Sequence, residues 1–417
     1  MSRHARRTSL LAEDLPGGGY RAVFAVREFR AIFAAHVLSV LGGVFAEVAL
    51  VVLVFRQTGS ALLSALIFAL GFMPYALSGV LLSGLADRHP PRRLLVICDL
   101  LSAACMITMA VPRTPLAALF VLRCAVAMIA PLFTGTRAAS LADSLQGDLY
   151  VLGRSLVRIV AQTSQIIGYG LGGLALVWLP ARVALCVAGA TFLCSALLLR
   201  LGTHERPARA SASGTAMRQS LASAGRLLGD RRVRALLLMW WIPPMFFVVA
   251  EGVAAPYADA ASAGSAGLGL FLAAMPTGTV VGEVLAGTML GPAARDRIAL
   301  PLAAVSMLPM AAFAFHPSLL AGAALMLLTG ACAAYTLGMD RWFVEAVPDQ
   351  MRGRAMSLLG AGIMTLQGVG MAAGGALAEV FPPHAVICGA GAIGTYGVLG
   401  VLRSVRRTGE HVHPGPR

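Results

Sequence analysis

Lysine is absent from the chain, and charged residues of any kind make up only 12% of its 417 residues. A soluble protein of this length would need far more charge to cover the surfaces of two or three cores. Without lysine no GxxxxGK[ST] phosphate-binding loop can form, and HExxH does not occur either. The sequence therefore disfavours an ATP-driven pump and a zinc protease, and we predict a protein that is no enzyme and uses no metal or cofactor.

Cysteine is present but lacks the spacing of a metal site or a disulfide framework. No CxxC pair occurs, and every cysteine lies inside an apolar segment. We interpret them as small buried residues. The seven are Cys98, Cys105, Cys124, Cys186, Cys194, Cys332 and Cys388.

Long apolar runs are what the sequence has in abundance. Hydrophobic residues make up 58% of the chain, and its mean hydropathy is +0.78. Each run is close to the roughly 20 residues that a membrane-spanning helix needs, and none alternates as a barrel strand would. We predict an all-α membrane protein with twelve transmembrane helices near 31–55, 61–83, 94–112, 115–136, 155–179, 182–200, 235–257, 264–290, 298–315, 318–339, 355–380 and 384–402.

The arginines predict the orientation of these helices. With both termini in the cytoplasm, only Arg56, Arg113 and Arg182 fall in outer loops, as the positive-inside rule requires. The formal charge of +14 then reflects topology in a bacterial inner (cytoplasmic) membrane. A nucleic-acid partner is disfavoured, because the arginines are dispersed over short loops without interleaved aromatic residues.

The chain also contains an internal repeat. "QIIGYGLGGLAL", from Gln165, returns as "QGVGMAAGGALA", from Gln367, 202 positions later. Pro74 and Pro276 are related by the same offset. We predict two related six-helix bundles, 31–203 and 235–403, with a basic arm at 1–30, a cytoplasmic linker at 204–234 and a tail at 404–417. Such parallel repeats are typical of secondary transporters, with the substrate path between the halves.

Glycines dominate the repeated stretch. The first copy contains Gly168, Gly172 and Gly173, and the second contains Gly370, Gly374 and Gly375. Small residues four apart line one helix face and let two backbones approach closely. We predict that the fifth and eleventh helices pack through this face against helices of the opposite half; ordinary helix packing without a mechanistic role is the alternative.

A short loop carries a family resemblance. "SGLADRHPPRRLL", from Ser83, resembles the signature loop of the major facilitator superfamily, which implies roles in a cytoplasmic gate for Gly84, Asp87, Arg88, Arg92 and Arg93. Loops such as "VPDQMRGRAMSL" resemble exporters grouped with the enterobactin and macrolide efflux pumps. The first glycine ladder is similar to the family's antiporter motif, with Tyr169 in place of a proline.

Three charged residues are candidates for coupling, since ionisable groups inside a bilayer are costly and usually functional. The resemblance implies that Glu47, Arg123 and Glu251 lie on cavity-lining helices: the first, fourth and seventh. We hypothesise that protonation of Glu47 or Glu251 weakens an ion pair and shifts the equilibrium between inward-open and outward-open states. A permanent structural pair of Glu47 with Arg123, or a merely hydrated Glu251, is the alternative.

Together these features predict a monomeric, proton-coupled exporter of a bulky, partly hydrophobic small molecule such as a drug, antibiotic, siderophore or other natural product. Its partners would be that substrate, protons and the lipid bilayer. An importer of a small metabolite and a non-transporting sensor of the same fold remain as alternatives. The aromatic residues expected on the cavity helices favour a hydrophobic substrate over a sugar: Phe45, Trp240, Trp241, Phe246 and Phe247.

Overall fold

A computed structural model describes residues 20–81, 89–145, 148–207, 225–348 and 351–409. All regular secondary structure within these ranges is helical. Ten helices among the described residues are long and apolar enough to cross a membrane. The predicted second and fifth spans correspond to two further helices, so the count agrees with twelve transmembrane segments.

The described part of the first half contains one short and six long helices. They are α1 (Tyr20–Ala25), α2 (Arg27–Thr58), α3 (Ala61–Leu81), α4 (Pro91–Ala110), α5 (Leu116–Ser144), α6 (Asp148–Ala175) and α7 (Ala181–Gly202).

The second half repeats this order with more interruptions. Its helices are α8 (Arg231–Gly252), α9 (Ala254–Ala260), α10 (Gly264–Met289), α11 (Pro292–Val305), α12 (Leu308–Ala311), α13 (Leu319–Cys332), α14 (Thr336–Ala346), α15 (Arg352–Leu377) and α16 (Pro383–Gly409).

Three predicted continuous segments are divided in the structure. The tenth is divided between α13 and α14 by a 3₁₀ turn at Ala333–Tyr335. In the other two, proline supplies the reason. The seventh segment is divided at Val253 into α8 and α9, because Pro256 has no N–H for the carbonyl of Gly252. The ninth segment is divided after α11 ends at Val305. The carbonyl of Val305 would need an N–H from Pro309, and proline has none. The final helix reaches Gly409, beyond the predicted end of the second bundle at 403.

The two bundles meet at two equivalent crossings. Helix α3 packs against α15, and α6 packs against α10. The repeat offset of 202 relates α3 to α10 and α6 to α15, so one pseudo-twofold operation exchanges the two crossings. The sequence repeat is therefore expressed as a symmetric interface between the halves.

The beginning of α2 and the end of α7 lie at one face of the bundles, which we call the terminal face. There the carboxylate of Glu28 accepts two hydrogen bonds from Arg206, both at 2.7 Å, and one from the backbone N–H of His204 at 3.2 Å. These contacts fasten the beginning of the predicted linker to α2. The opposite face, which we call the distal face, carries Thr58 and Glu379.

Of the residues predicted for the gate loop, Gly84, Asp87 and Arg88 lie outside the described residues. Arg92 and Arg93 lie in the first turn of α4, which begins at Pro91. A guanidinium N–H of Arg92 donates to the backbone carbonyl of Arg200 at the end of α7, and Arg93 is exposed.

A candidate site: the buried charge cluster

Glu47 on α2 and Arg123 on α5 form an ion pair inside the first half. Arg123 Nη2 donates to Glu47 Oε1, and the side chains are 13% (Arg123) and 12% (Glu47) exposed. Arg123 Nε also donates to the backbone carbonyl of Ile67 on α3, at 3.1 Å. The guanidinium therefore links three helices, and the ion pair fits both the coupling hypothesis and its alternative of a permanent structural pair.

Gly71 on α3 makes room for this pair. A Cβ at this position would overlap the guanidinium of Arg123 and lie 3.2 Å from Glu47 Oε1. Sequence reasoning did not single out Gly71. The sequence contained a signal for it. Gly71 lies in the repeated stretch around Pro74, and its counterpart 202 positions later, Ala273, is also a small residue.

Glu251 comes from the second half, in the last turn of α8 beside the Val253 interruption. It is 7% exposed, which favours the coupling hypothesis over the alternative that it is simply hydrated near a surface. Within the part of the chain that the structure describes, its carboxylate has no hydrogen bond or ion pair. Its electrostatic neighbour is Glu47, across the interface between the halves.

The three charges lie at similar depths. Counted along each helix at about 1.5 Å per residue, Glu47 is roughly 16 Å, Arg123 roughly 10 Å and Glu251 roughly 13 Å from the distal end. They therefore form one layer, well inside the apolar part of the bundles.

Tyr169 on α6 joins the same layer. Its side chain is 1% exposed, and it interacts electrostatically with Glu47, Glu251 and Arg123. The sequence drew attention to Tyr169 only because the family motif has a proline there. Its place beside the acidic groups depends on the rotation of α6, which the local sequence does not specify.

The cluster holds two carboxyl groups and one permanent cation. If both acids were ionised, Arg123 would compensate Glu47 and leave the charge of Glu251 uncompensated. An unpaired charge away from water costs several kcal/mol, so Glu251 is stable there only as a neutral acid or beside a bound cation. The arrangement can therefore bind and release a proton at the boundary between the two halves.

The glycine ladders lie beside this cluster and pack in two directions. A Cβ on Gly168 would lie 2.6 Å from Val44 Cγ1, and one on Gly172 would lie 3.2 Å from Phe45, both on α2 of the same half. In the second copy, Gly370 faces Met245 of α8. Gly374 likewise faces Val249 of α8, so the prediction that the glycines spaced by four face the opposite half is wrong.

The third glycine of each ladder makes the contact between halves. A Cβ on Gly173 would lie 2.5 Å from Gly269 Cα of α10. A Cβ on Gly375 would overlap Ala65 Cβ and lie 3.1 Å from Leu62 Cα, both in α3. The repeat thus encodes one helix that packs closely on two neighbours, because the adjacent glycines point to different sides.

The aromatic candidates serve mainly as packing residues. Trp241 donates its indole N–H to the carbonyl of Leu359, at 3.1 Å, and Phe247 is 3% exposed in the core. Trp240 differs, since its indole N–H is buried and has no hydrogen-bond partner among the described residues. An apolar groove of about 320 Å³ lies between α8, α15 and α16 near Phe246, and no charged residue lines it.

These features define a multi-pass membrane transporter built from two six-helix bundles. A family model described as Major Facilitator Superfamily matches residues 32–257. The chain belongs to this superfamily, as its signature loop predicted.

Solved structures agree with the fold at low sequence identity. A peptide transporter bound to alafosfalin superposes with a TM-score of 0.72 at 13% identity and covers 100% of both chains. A bacterial homologue of the human lysosomal transporter Spinster, inward-facing and unoccupied, gives 0.63 at 15% identity over 91% of this chain and 95% of that one. The nucleoside transporter NupG gives 0.68 at 13% identity over 91% and 99%.

One protein that is similar to this chain in sequence is an efflux protein. Macrolide efflux protein A of Streptococcus pyogenes is 31% identical over 77 residues, which cover 18% of this chain and 19% of that protein. The match spans about one fifth of either chain, so it is a local resemblance.

Proposed function

We propose that this transporter exports a bulky, partly hydrophobic small molecule in exchange for protons, by alternating access. The observation that carries the proposal is the buried, unpartnered carboxyl group of Glu251 beside the Glu47–Arg123 pair. One acid belongs to each half, so their electrostatic interaction depends on how the halves are arranged.

The direction of the coupling follows from the signs of the charges. A neutral Glu251 tolerates Glu47 nearby, whereas an ionised Glu251 repels it across the interface. Protonation therefore favours the arrangement described here, in which the halves touch near the distal face at Gly173 and Gly375. When Glu251 loses its proton, it repels Glu47, and separation of the halves at this depth relieves this repulsion. The separated state therefore becomes more populated.

This dependence on protonation fits an antiporter if the terminal face is cytoplasmic. A proton enters Glu251 from the distal side, the distal face closes, and the proton leaves towards the cytoplasm as substrate binds. The uneven distribution of arginine supports this orientation. Export is further supported by the local similarity to a macrolide efflux protein.

The test measures accumulation of a macrolide and a fluorescent dye in a bacterial host that lacks its own efflux pumps. Cells with the native chain should accumulate less of at least one compound, and a protonophore should abolish the difference. Glu47→Gln and Glu251→Gln should each abolish it as well. Asp259→Asn, which changes an exposed acid on the distal side of the same half, is the matched control and should export normally.

Other outcomes separate the alternatives. Higher accumulation in cells with the native chain would indicate an importer. Export that persists in both glutamine variants would refute proton coupling at this cluster while leaving an export function in place.

A further inference from the structure

The two crossings between the halves differ at the distal face. Where α6 meets α10, the contact is backbone against backbone, and α10 begins after Ala263 without a side-chain cap. Where α15 meets α3, polar side chains join the contact. The pseudo-symmetric positions are Glu379 and Val177, so the carboxylate of Glu379 has no counterpart at the equivalent position of the α6–α10 crossing.

Glu379 follows the end of α15 by two residues and reaches the first turn of α3 in the other half. Its Oε1 accepts a hydrogen bond from Ser60 Oγ at 2.6 Å and one from the backbone N–H of Leu62 at 2.8 Å. Ser60 Oγ in turn accepts from the N–H of Leu63 at 3.1 Å. A carboxylate from the second half thus completes the N-terminal cap of a helix in the first half.

This position suits a carboxylate physically. The first N–H groups of a helix have no partner within the helix, and the helix dipole favours negative charge there. Two hydrogen bonds hold the pKa of Glu379 below its ordinary value. The one from Ser60 contributes most, and the one from the Leu62 amide contributes next. Glu379 therefore keeps its charge at neutral pH, and the cap does not depend on protonation in that range.

We propose that Glu379 and Ser60 form a latch that keeps the distal ends of the two halves together and must open whenever the transporter exposes its path at the distal face. The latch spans 319 residues of sequence, so it cannot be a local helix cap within one unit. The latch lies at the α3–α15 crossing and is not repeated at the equivalent position of the α6–α10 crossing. The distal ends can therefore separate at the α3–α15 crossing only after these hydrogen bonds break. The inference rests on alternating access in the proposed function.

The latch can be tested without a substrate by electron–electron double resonance on the full chain in nanodiscs. Spin labels at Gln57 and Ala261, exposed positions on the distal side of different halves, report the width of the distal gap. The labels are placed in a background whose seven native cysteines are replaced. Loss of a capping side chain typically changes a helix equilibrium about fivefold, so Glu379→Ala should raise the ratio of long to short distances by about that factor.

Two further variants make the result decisive. Glu379→Gln keeps an acceptor but removes the charge, and should shift the ratio in the same direction by less. Asp259→Ala removes another carboxylate from the same side of the same half and should leave the distances unchanged.

An unchanged distance distribution in both Glu379 variants would overturn the latch, as would equal shifts in Glu379→Ala and Asp259→Ala. These results are independent of the proposed export, because the measurement uses neither a substrate nor a proton gradient. The two measurements can therefore distinguish a protein that has the latch but does not export from one that exports without the latch.

Discussion

Removal of the guanidinium at position 123 should destabilise the protein more than removal of the whole ion pair. Arg123→Gln leaves Glu47, with a side chain only 12% exposed, without its cation and beside Glu251. Breaking one partner of a buried pair typically costs about 3–5 kcal/mol, because the remaining charge has no compensation. The double variant Glu47→Gln, Arg123→Gln leaves two neutral amides that can hydrogen-bond, so it should be more stable than Arg123→Gln alone.

The assay is a double-mutant cycle on the free energy of unfolding, measured by reversible SDS titration of the purified full chain. We expect a coupling energy of about 3 kcal/mol or more between positions 47 and 123. The matched comparison is Arg93→Gln at the terminal face, where the arginine is exposed and the cost should be about 1 kcal/mol or less. If the two single changes add to the double change within about 0.5 kcal/mol, the described pair does not contribute as a unit.

The remaining predictions concern packing, a second polar contact and pH. Gly173→Ala should shift the chain away from the distal-closed arrangement and reduce transport, because its Cβ would meet backbone atoms of α10; Gly360→Ala, with open space around it, is the matched control for both distance and transport measurements. Ser195→Ala should lower the unfolding free energy by about 1–3 kcal/mol, because it removes the 2.5 Å hydrogen bond to the buried carboxyl of Asp99; equal stability of the two proteins would contradict that contact. The pKa of Glu379 is lowered, so its contribution is fully present above the ordinary value of 4.5 and is lost as pH falls through the lower folded-state pKa. The stability difference between the native chain and Glu379→Gln should therefore be constant from about pH 5 to 8 and shrink in stronger acid, and a change centred near neutral pH would contradict this.

The fold was predictable from the sequence because a bilayer leaves few options. Backbone polar groups must be satisfied within each spanning segment, so long apolar runs become helices. The prediction was less accurate where proline acts on a residue four positions earlier, as Pro256 does on Gly252. Hydropathy averages over such positions, whereas the helix ladder depends on a single missing N–H.

The candidate site was predictable in composition and depth but not in its contacts. Helix length alone predicts a matched depth for Glu47 and Arg123, whereas the place of Glu251 in the same layer comes from the structure. The participation of Gly71 and Tyr169 was missed, because it depends on how helices are rotated about their axes.

The sequence by itself determined twelve apolar segments, their repeat at an offset of 202 and the presence of acidic and basic groups at one depth. Length, periodicity and charge are local properties, so they can be read along the chain. Only the tertiary structure decided that Gly168 faces its own half while Gly173 faces the other, and that Glu379 caps a helix 319 residues away. Neighbouring residues on a helix point in directions about 100° apart, so a shift of one position changes the partner, and close packing of all the helices together selects it.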